Sequence, residues 1–304
     1  VSGFCKHRKM LSHLLLPNIG LLINDLFLPV KKITLNQKCV EMNLISSFVQ
    51  FFRELGNVLV VIRHFESASV HELFMYEANN VLCALLASVS VTYNYKDLLV
   101  MLNTLYFVET TFLDLTENTR KWGCTSNNVS AYVRKLEKKV TTGIESILKV
   151  IFRRSVKKKY TFSNEFIEML KKEVLVLDRI EFNESIFHFL FETLFSLLFS
   201  KMVKFKMEPR LAELLIEEIG EIRLFLEEDW PKPPLIDVIE SYLKIFVCTT
   251  DNIRVFVTCF NQLNNNLFDF KNIIEALEDS SRNKQLVREY ENQKNKIIKY
   301  ESRK

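Results

Sequence analysis

The chain has 304 residues, 48% of them hydrophobic and 26% charged, so a largely disordered protein is excluded and a sizeable core is expected. Only 6 Gly and 6 Pro occur, which disfavours sheet-rich and Rossmann-type folds, because those folds need Gly for tight turns and close backbone approach. The net charge of +4 at pH 7 is too small to indicate a nucleic-acid-binding protein. Few helix breakers and many Leu, Ile, Lys, Glu and Phe favour an all-α protein built from long helices.

The first third of the chain predicts three helices. From Val40 to Ile62, apolar residues recur every three or four positions, which is the spacing of one helix face. Two further helices are expected over about 70–91 and 96–119, and no stretch of the chain shows the strict alternation of a β-strand. A polar loop around Gly123 and Ser126 is the best mid-chain boundary.

The middle of the chain predicts one strongly amphipathic helix and two further helices. Ser163 or Asn164 is suited to cap a helix that runs to about Ile180, and Asn183 is suited to cap the next one. That next helix is rich in Phe, which we interpret as core, with a groove for a partner helix as the alternative. The amphipathic helix has apolar residues at Val133, Leu136, Val140, Ile144, Ile147 and Ile151, and basic residues at Arg134, Lys135, Lys138, Lys139, Lys149 and Arg153.

The last third begins with a helix that carries Pro209 in its first turn, where the missing N–H costs nothing. The Pro-rich stretch Trp230–Pro234 ends this helix, because consecutive prolines are incompatible with helical structure. We predict that the acidic residues of the helix face water, namely Glu213, Glu217, Glu218 and Glu221. Shorter helices are expected over about 235–248, 250–263 and 270–277, followed by a charged terminal helix over 282–304.

Together these elements predict an elongated rod of consecutive antiparallel helical bundles. The Gly123 loop and the Pro-rich stretch divide it into an N-terminal bundle over 1–125, a central bundle over 126–229 and a C-terminal bundle over 230–304.

Two apolar stretches approach the length of a membrane span. Residues 11–30 include prolines, asparagines and Asp25, and residues 186–199 form a short stretch that includes His188 and Glu192. A span needs about 20 mostly apolar residues, so we predict a soluble protein. Its six cysteines lack CxxC spacing and are expected to be buried, reduced thiols of a cytosolic protein rather than zinc ligands.

No pattern of residues predicts catalysis. The sequence contains no Walker loop, GxGxxG, GxSxG, HExxH or calcium-binding loop. His64 and His71 are interpreted as surface or packed residues, and His188 as a hydrogen-bonded packing residue on an apolar face. We therefore predict a protein that is not an enzyme and has no cofactor, metal site or small-molecule substrate.

One cluster of basic residues is the candidate site. Charge concentrates directly after the basic amphipathic helix, and three interpretations stay open: a solvated loop, contact with an anionic membrane surface, or nucleic-acid binding. The cluster lacks aromatic residues that would stack on bases, which disfavours the last of these. Its members are Arg153, Arg154, Lys157, Lys158 and Lys159.

From about Ser130 to Arg282, the order of the segments is informative. A Phe-rich helix ends in Ser200–Phe205, which contains two lysines and two aliphatic residues before its Phe. A long acidic helix over Ala212–Leu226 follows, and then a short aliphatic helix over Leu235–Ile245. Thr250 and Asp251 open the next helix, and the run closes with Phe268–Leu277 and the polar cluster Asp279, Ser280, Ser281 and Arg282.

This run of segments resembles the C-terminal half of the exocyst complex component 3 family, the Sec-six type subunit. The family usually has an Arg before the final Asp, where this chain has Glu278, and the part before Ser130 matches only as generic helices. The resemblance implies a rod of helical bundles without catalytic residues. It implies a cytoplasmic subunit, peripheral at plasma-membrane sites of secretion, that tethers secretory vesicles before SNARE-mediated fusion.

The partners implied are the other exocyst subunits and SNARE proteins, and the basic cluster adds an anionic membrane surface. Two alternatives keep the same helical architecture. One is a subunit of another helical-rod tether, at the Golgi or the endoplasmic reticulum. The other is a helical protein-interaction scaffold unrelated to membranes.

Overall fold

The computed structural model describes most of the chain between residues 20 and 247. The predicted loop at 120–127 lies outside the described residues, as do nearly all positions of the helices predicted over 250–263, 270–277 and 282–304. The described ranges are 20–65, 67–92, 94–119, 128–158, 160–175, 182–205, 207–230 and 233–247, with short pieces at 255–256, 284–285, 287–289 and 291–292.

The all-α prediction is confirmed for this part of the chain, where helices provide almost all regular structure. Most predicted helices are present within a few residues of their expected bounds. Two short helices, α1 (20–26) and α2 (Leu28–Lys31), were not predicted. The described helices that follow them are α3 (Ser46–Ile62), α4 (Ala68–Ala87), α5 (Tyr95–Thr119), α6 (Asn128–Ser155), α7 (Ser163–Met169), α8 (Glu184–Met202), α9 (Pro209–Asp229) and α10 (Leu235–Val247).

A small β-hairpin replaces the first turns of the helix predicted from Val40. Strands β1 (Val40–Glu41) and β2 (Leu44–Ile45) pair in antiparallel fashion, and the helix α3 starts only at Ser46. Met42 and Asn43 both have positive φ, at 49° and 54°, which is the backbone of a tight two-residue hairpin turn. The Ile45 N–H donates to Thr104 Oγ1 at 2.9 Å, so α5 stabilises the hairpin through a contact that helical periodicity does not encode.

The described chain divides into two compact units. Unit 1 comprises the residues up to Ile144 together with Glu181–Asn183, and unit 2 comprises Glu145–Ile180 and the residues from Glu184 onward. This division falls within α6 and differs from the three predicted bundles, whose first boundary at 125 and 126 lies outside the described residues.

Unit 1 is built around the buried faces of α3, α4 and α5. In α3 the buried residues include Phe48, Phe51 and Leu55, as the spacing predicts, although Val58 rather than Leu59 completes the buried face. Phe27 packs its ring against Phe74 of α4, with centroids 5.6 Å apart. The core of this unit therefore follows the helical periodicity read from the sequence.

The Phe-rich helix α8 forms the core of unit 2. Phe187, Phe191, Phe195 and Phe199 are each at most 1% exposed. Their spacing of four residues puts them on one face, where Phe195 meets Phe166 of α7 edge-on at 5.4 Å between centroids. The interpretation of these residues as core is confirmed, and within the described chain they do not form an open groove.

Among the described residues, two helices are long and apolar enough to cross a membrane by length and composition. They are α5, with a mean hydropathy of 1.4 over its most apolar window, and α8, with 1.2. About half of each window, 56% and 50%, is buried within the fold, as in core helices of soluble proteins. Solubility therefore remains a prediction.

Tyr242 of α10 is the centre of an aromatic cluster in unit 2. Its ring lies 5.2 Å from Phe199, 5.3 Å from Phe246 and 5.9 Å from Phe256 between centroids. The residue is fully buried, and its hydroxyl has no hydrogen-bond partner among the described residues. Burial raises the pKa of Tyr242 because the phenolate would lose its hydration.

We expect Tyr242→Phe to stabilise the protein by about 1 kcal/mol, because it removes a buried hydroxyl that makes no hydrogen bond. Above pH ~10 an unfolded Tyr releases its proton while the buried one retains it, so the unfolded state binds fewer protons and the free energy of unfolding falls as pH rises. The variant lacks the contribution of Tyr242 to this alkaline loss, while Tyr95 and Tyr106, whose pKa values burial also raises, keep theirs. Urea unfolding at neutral and alkaline pH measures both effects, with Tyr76→Phe at an exposed position as control. A destabilised Tyr242→Phe variant would show that the hydroxyl has a stabilising partner.

Candidate functional site

The predicted basic cluster lies at the end of α6 and in the connection to α7. Arg153 and Arg154 belong to the last turn of α6, and Lys157 and Lys158 follow it. All four are exposed, and Lys159 lies outside the described residues. We call Lys149, Val150, Arg153, Arg154, Lys157, Lys158 and Tyr160 together the α6-end surface.

The direction of this surface follows from the packing of α6. Ile144, Leu148 and Ile151 are buried on one side of the helix. Leu148 replaces the predicted Ile147 on the buried face, and Ile147 is half-buried. At 3.6 residues per turn, Val150 and Arg153 fall on the opposite side, and Val150 is 63% exposed. The surface therefore points away from the core of unit 2.

Acidic residues partly compensate the charge of this surface. Arg154 forms an ion pair with Glu173, which also accepts a hydrogen bond from Ser155 Oγ. Lys149 lies 4.0 Å from Glu145 on the same helix. Both are largely exposed pairs, which contribute little to stability. The described residues provide no ion pair for the side chains of Arg153, Lys157 or Lys158, so positive charge remains in excess.

The backbone beneath these side chains is held by two charged groups. Lys201 of α8 donates from Nζ to the carbonyl oxygens of Val156 at 2.8 Å and Lys158 at 2.7 Å. The N–H groups of Lys157 and Lys158 donate to one carboxylate oxygen of Glu165 at 3.0 and 3.1 Å. Burial lowers the pKa of Lys201, and the negative charge of Glu165 opposes that shift. The end of α6 thus has a cationic cap from another helix.

The start of α7 is capped by acidic residues of α9. One carboxylate oxygen of Glu218 accepts from the N–H of Phe162 at 2.7 Å and of Ser163 at 2.6 Å, and Glu221 accepts from Ser163 Oγ. Two predictions are wrong here. Ser163 and Asn164 do not cap α7, since the N-cap is Phe162, and Glu218 is half-buried and binds α7 rather than facing water. Glu213, Glu217 and Glu221 are exposed, as predicted. The unpaired N–H groups at a helix start donate to any well-placed carboxylate, including one distant in sequence.

The helix α7 also ends earlier than predicted. Its α-helical part stops at Met169, and a π-helical turn over Leu170–Val174 follows, whereas the sequence pattern indicated a helix to about Ile180. Residues 176–181 lie outside the described residues. Leu170 and Val174 are both buried, so the wider turn keeps their side chains in the core.

Other predicted side chains have different surroundings. His188 is exposed and lies 3.8 Å from Glu184, so the prediction of a packing histidine is wrong. His71 is buried, as one of the two alternatives predicted. Cys39 is exposed and Cys83 is half-buried, so the expectation of buried thiols is wrong for Cys39, which precedes the unpredicted hairpin. Burial raises the pKa of the Cys83 thiol.

An open groove of about 600 Å³ lies in unit 1 between the segment that follows α2 and the side of α4. Lys31 at its edge forms an ion pair with Glu77 at 2.8 Å. Gln37 exchanges hydrogen bonds with Ser90. These polar groups already satisfy one another, so the groove is a weaker candidate than the α6-end surface.

Comparison with known proteins finds no relative, so any functional inference rests on the residues of this chain. The chain matches no protein-family model, no curated protein and no solved structure. Among the described residues, no group of three or more His, Cys, Asp or Glu side chains is placed to hold a metal ion.

The sequence alone located the basic residues of the α6-end surface but not the groups that fix its backbone. Lys201, Glu165 and Glu218 lie between 7 and 56 positions from the residues they bind. Only the Glu165 contacts join positions near enough in the sequence for a sequence pattern to suggest them. Lys201 and Glu218 carried no local signal, because a charged residue on a helix is usually solvated.

Proposed function

We propose that this chain is a non-catalytic subunit of the exocyst type, which tethers secretory vesicles to the plasma membrane before SNARE-mediated fusion. The ordered run of segments from Ser130 to Arg282 supports the family, and the succession of packed helices supports the architecture. The observation that carries the proposal is the α6-end surface, a basic surface on a backbone fixed by other helices. The proposed location of the protein is the cytoplasm, where it would associate peripherally with plasma-membrane sites of secretion.

In this proposal the helices act as rigid supports for binding faces. Helices α9 and α10 are joined by Arg223, which donates to Asp237 at 2.9 Å and also binds Glu240. Such hairpins, stacked as an elongated rod of bundles, would hold surfaces for the other exocyst subunits and SNARE proteins at set distances. Partner choice would follow from helix packing and charge complementarity.

Purification of the tagged chain from its own cells, with mass spectrometry of the proteins that co-purify, tests this function. We expect several exocyst subunits in amounts comparable to the tagged chain. A Phe195→Ala variant, which disrupts the core of unit 2, is the control for contacts that need a folded chain.

The other outcomes decide between the alternatives. Recovery of Golgi or endoplasmic-reticulum tether subunits would retain the helical tether and overturn its plasma-membrane location. Recovery of neither set would overturn the family, and steeply salt-dependent binding to random nucleic acid would then favour the nucleic-acid alternative.

A further inference from the structure

We infer that the α6-end surface docks directly on an anionic lipid bilayer. The inference deepens the tethering proposal and rests on it for its cellular setting. It identifies the partner by chemistry, as a membrane leaflet that carries negatively charged headgroups.

Charge is the first observation that supports this partner. Arg153, Lys157 and Lys158 are exposed and have no ion pair among the described residues. Glu173 is engaged by Arg154, and one oxygen of Glu165 is engaged by the backbone N–H groups of Lys157 and Lys158. The charge of Glu173 is offset by Arg154 and that of Glu165 by the nearby Lys201, so the three remaining cations leave an excess of positive charge for lipid headgroups.

The second observation is an apolar side chain among these cations. Val150 lies three and four positions before Arg153 and Arg154, on the same outward side of α6, and is 63% exposed. Removing an exposed apolar side chain from water is favourable. Beside basic residues, Val150 is therefore suited to enter the boundary between lipid headgroups and acyl chains.

Tyr160 provides a second amphipathic residue in the same segment. Its ring packs against the ring of Phe205, with centroids 5.9 Å apart, and the residue is still 41% exposed. Tyr is enriched at membrane interfaces because its ring is apolar and its hydroxyl is polar. A nucleic acid would instead need several rings for base stacking, and Tyr160 is the one aromatic residue of the α6-end surface.

The third observation is that the backbone of Val156, Lys157 and Lys158, directly after α6, is held by other residues. Lys201 binds the carbonyl oxygens of Val156 and Lys158, and Glu165 binds the N–H groups of Lys157 and Lys158. The backbone that carries Lys157 and Lys158 is thus held in place before it meets a membrane. Binding then costs less backbone entropy than it would for a disordered basic segment.

Sedimentation of the purified full chain with vesicles tests this inference. The vesicles are phosphatidylcholine with or without phosphatidylserine. We expect binding only to the phosphatidylserine vesicles, weakened by salt. Each basic residue at an anionic surface corresponds to roughly a fivefold change in affinity, so Arg153→Gln, Lys157→Gln and Lys158→Gln together should weaken binding on the order of a hundredfold.

A matched variant separates this surface from net charge alone. Lys135→Gln, Lys138→Gln and Lys139→Gln remove the same charge from exposed positions of α6 that belong to unit 1. This control should bind nearly as well as the unmodified chain. Val150→Ser leaves the charge unchanged and should weaken binding several-fold. Circular dichroism and urea unfolding check that each variant is folded.

Three results would overturn the inference. The first is that the unmodified chain does not bind phosphatidylserine vesicles. The second is that the two triple variants lose equal amounts of vesicle binding. The third is that the chain binds nucleic acid through Arg153, Lys157 and Lys158 but does not bind vesicles. Since only purified chain and lipid are present, vesicle binding can hold when exocyst subunits fail to co-purify, and it can fail when they do co-purify. The two proposals are therefore tested separately.

Discussion

Phe195→Ala is expected to destabilise unit 2 by about 3–5 kcal/mol, the usual cost of removing a large aromatic side chain from a packed core. Phe195 is fully buried and meets the ring of Phe166 edge-on at 5.4 Å, so the substitution removes both apolar burial and an aromatic pair. The chain has two tryptophans, and Trp230 lies against Phe187 and Phe191 in unit 2. In a Trp122→Phe background, Trp230 fluorescence during urea unfolding therefore reports on this unit.

Phe189→Ala is the matched control on the same helix. Phe189 is only half-buried, so its loss should cost much less than the loss of Phe195. Equal effects of the two substitutions would contradict the placement of Phe195 in the core. An unchanged stability of Phe195→Ala with lost partner binding would instead support the partner groove as the role of this Phe-rich face.

Glu218→Ala is expected to lower the free energy of unfolding of unit 2 by about 2–3 kcal/mol. Its carboxylate accepts two N–H groups at the start of α7, from Phe162 and Ser163, both of which are buried. Without the carboxylate, these two N–H groups have no hydrogen-bond acceptor, and the positive end of the helix loses one of its nearby anions. The same Trp230 fluorescence measurement applies.

Two further variants define the cause. Glu218→Gln keeps an oxygen acceptor but loses the charge, so its free energy of unfolding should lie between those of the parent chain and Glu218→Ala. Glu217→Ala changes an exposed neighbour on the same helix and should cost about 0.5 kcal/mol or less. If Glu217→Ala and Glu218→Ala destabilise equally, α7 does not depend on a carboxylate from α9.

The helices of this protein could be read from its sequence to within a few residues in most places. Pro209 begins α9, and the predicted stripe at Leu215, Ile219 and Ile222 is buried. Apolar spacing succeeds because a helix in a packed protein must bury one face, and that requirement acts through residues only three or four positions apart. The exposed positions of the described basic residues on α6 followed from the same pattern.

The sequence pattern failed where a distant residue decided the local structure. The chain from Val40 to Ile45 carries helical spacing but forms a hairpin, because α5 offers Thr104 as an acceptor and Asn103 donates to the carbonyl oxygen of Asn43. Ser163 is a suitable cap by type, yet Glu218 occupies that role from 55 positions away. Hydrogen-bond partners of this kind depend on which helices become neighbours, and apolar spacing carries no information on that choice.

The amino-acid order of this protein was enough to establish its helical class, the core face of most helices and the position of its basic cluster. These properties depend on local spacing and composition, which can be read from the sequence without knowledge of the fold. The tertiary structure alone decided that Lys201, Glu165 and Glu218 fix the backbone between α6 and α7, and that Val150 stands exposed beside Arg153. Those properties arise from packing, because a charged or apolar side chain takes its role from the groups that folding brings within a few ångströms.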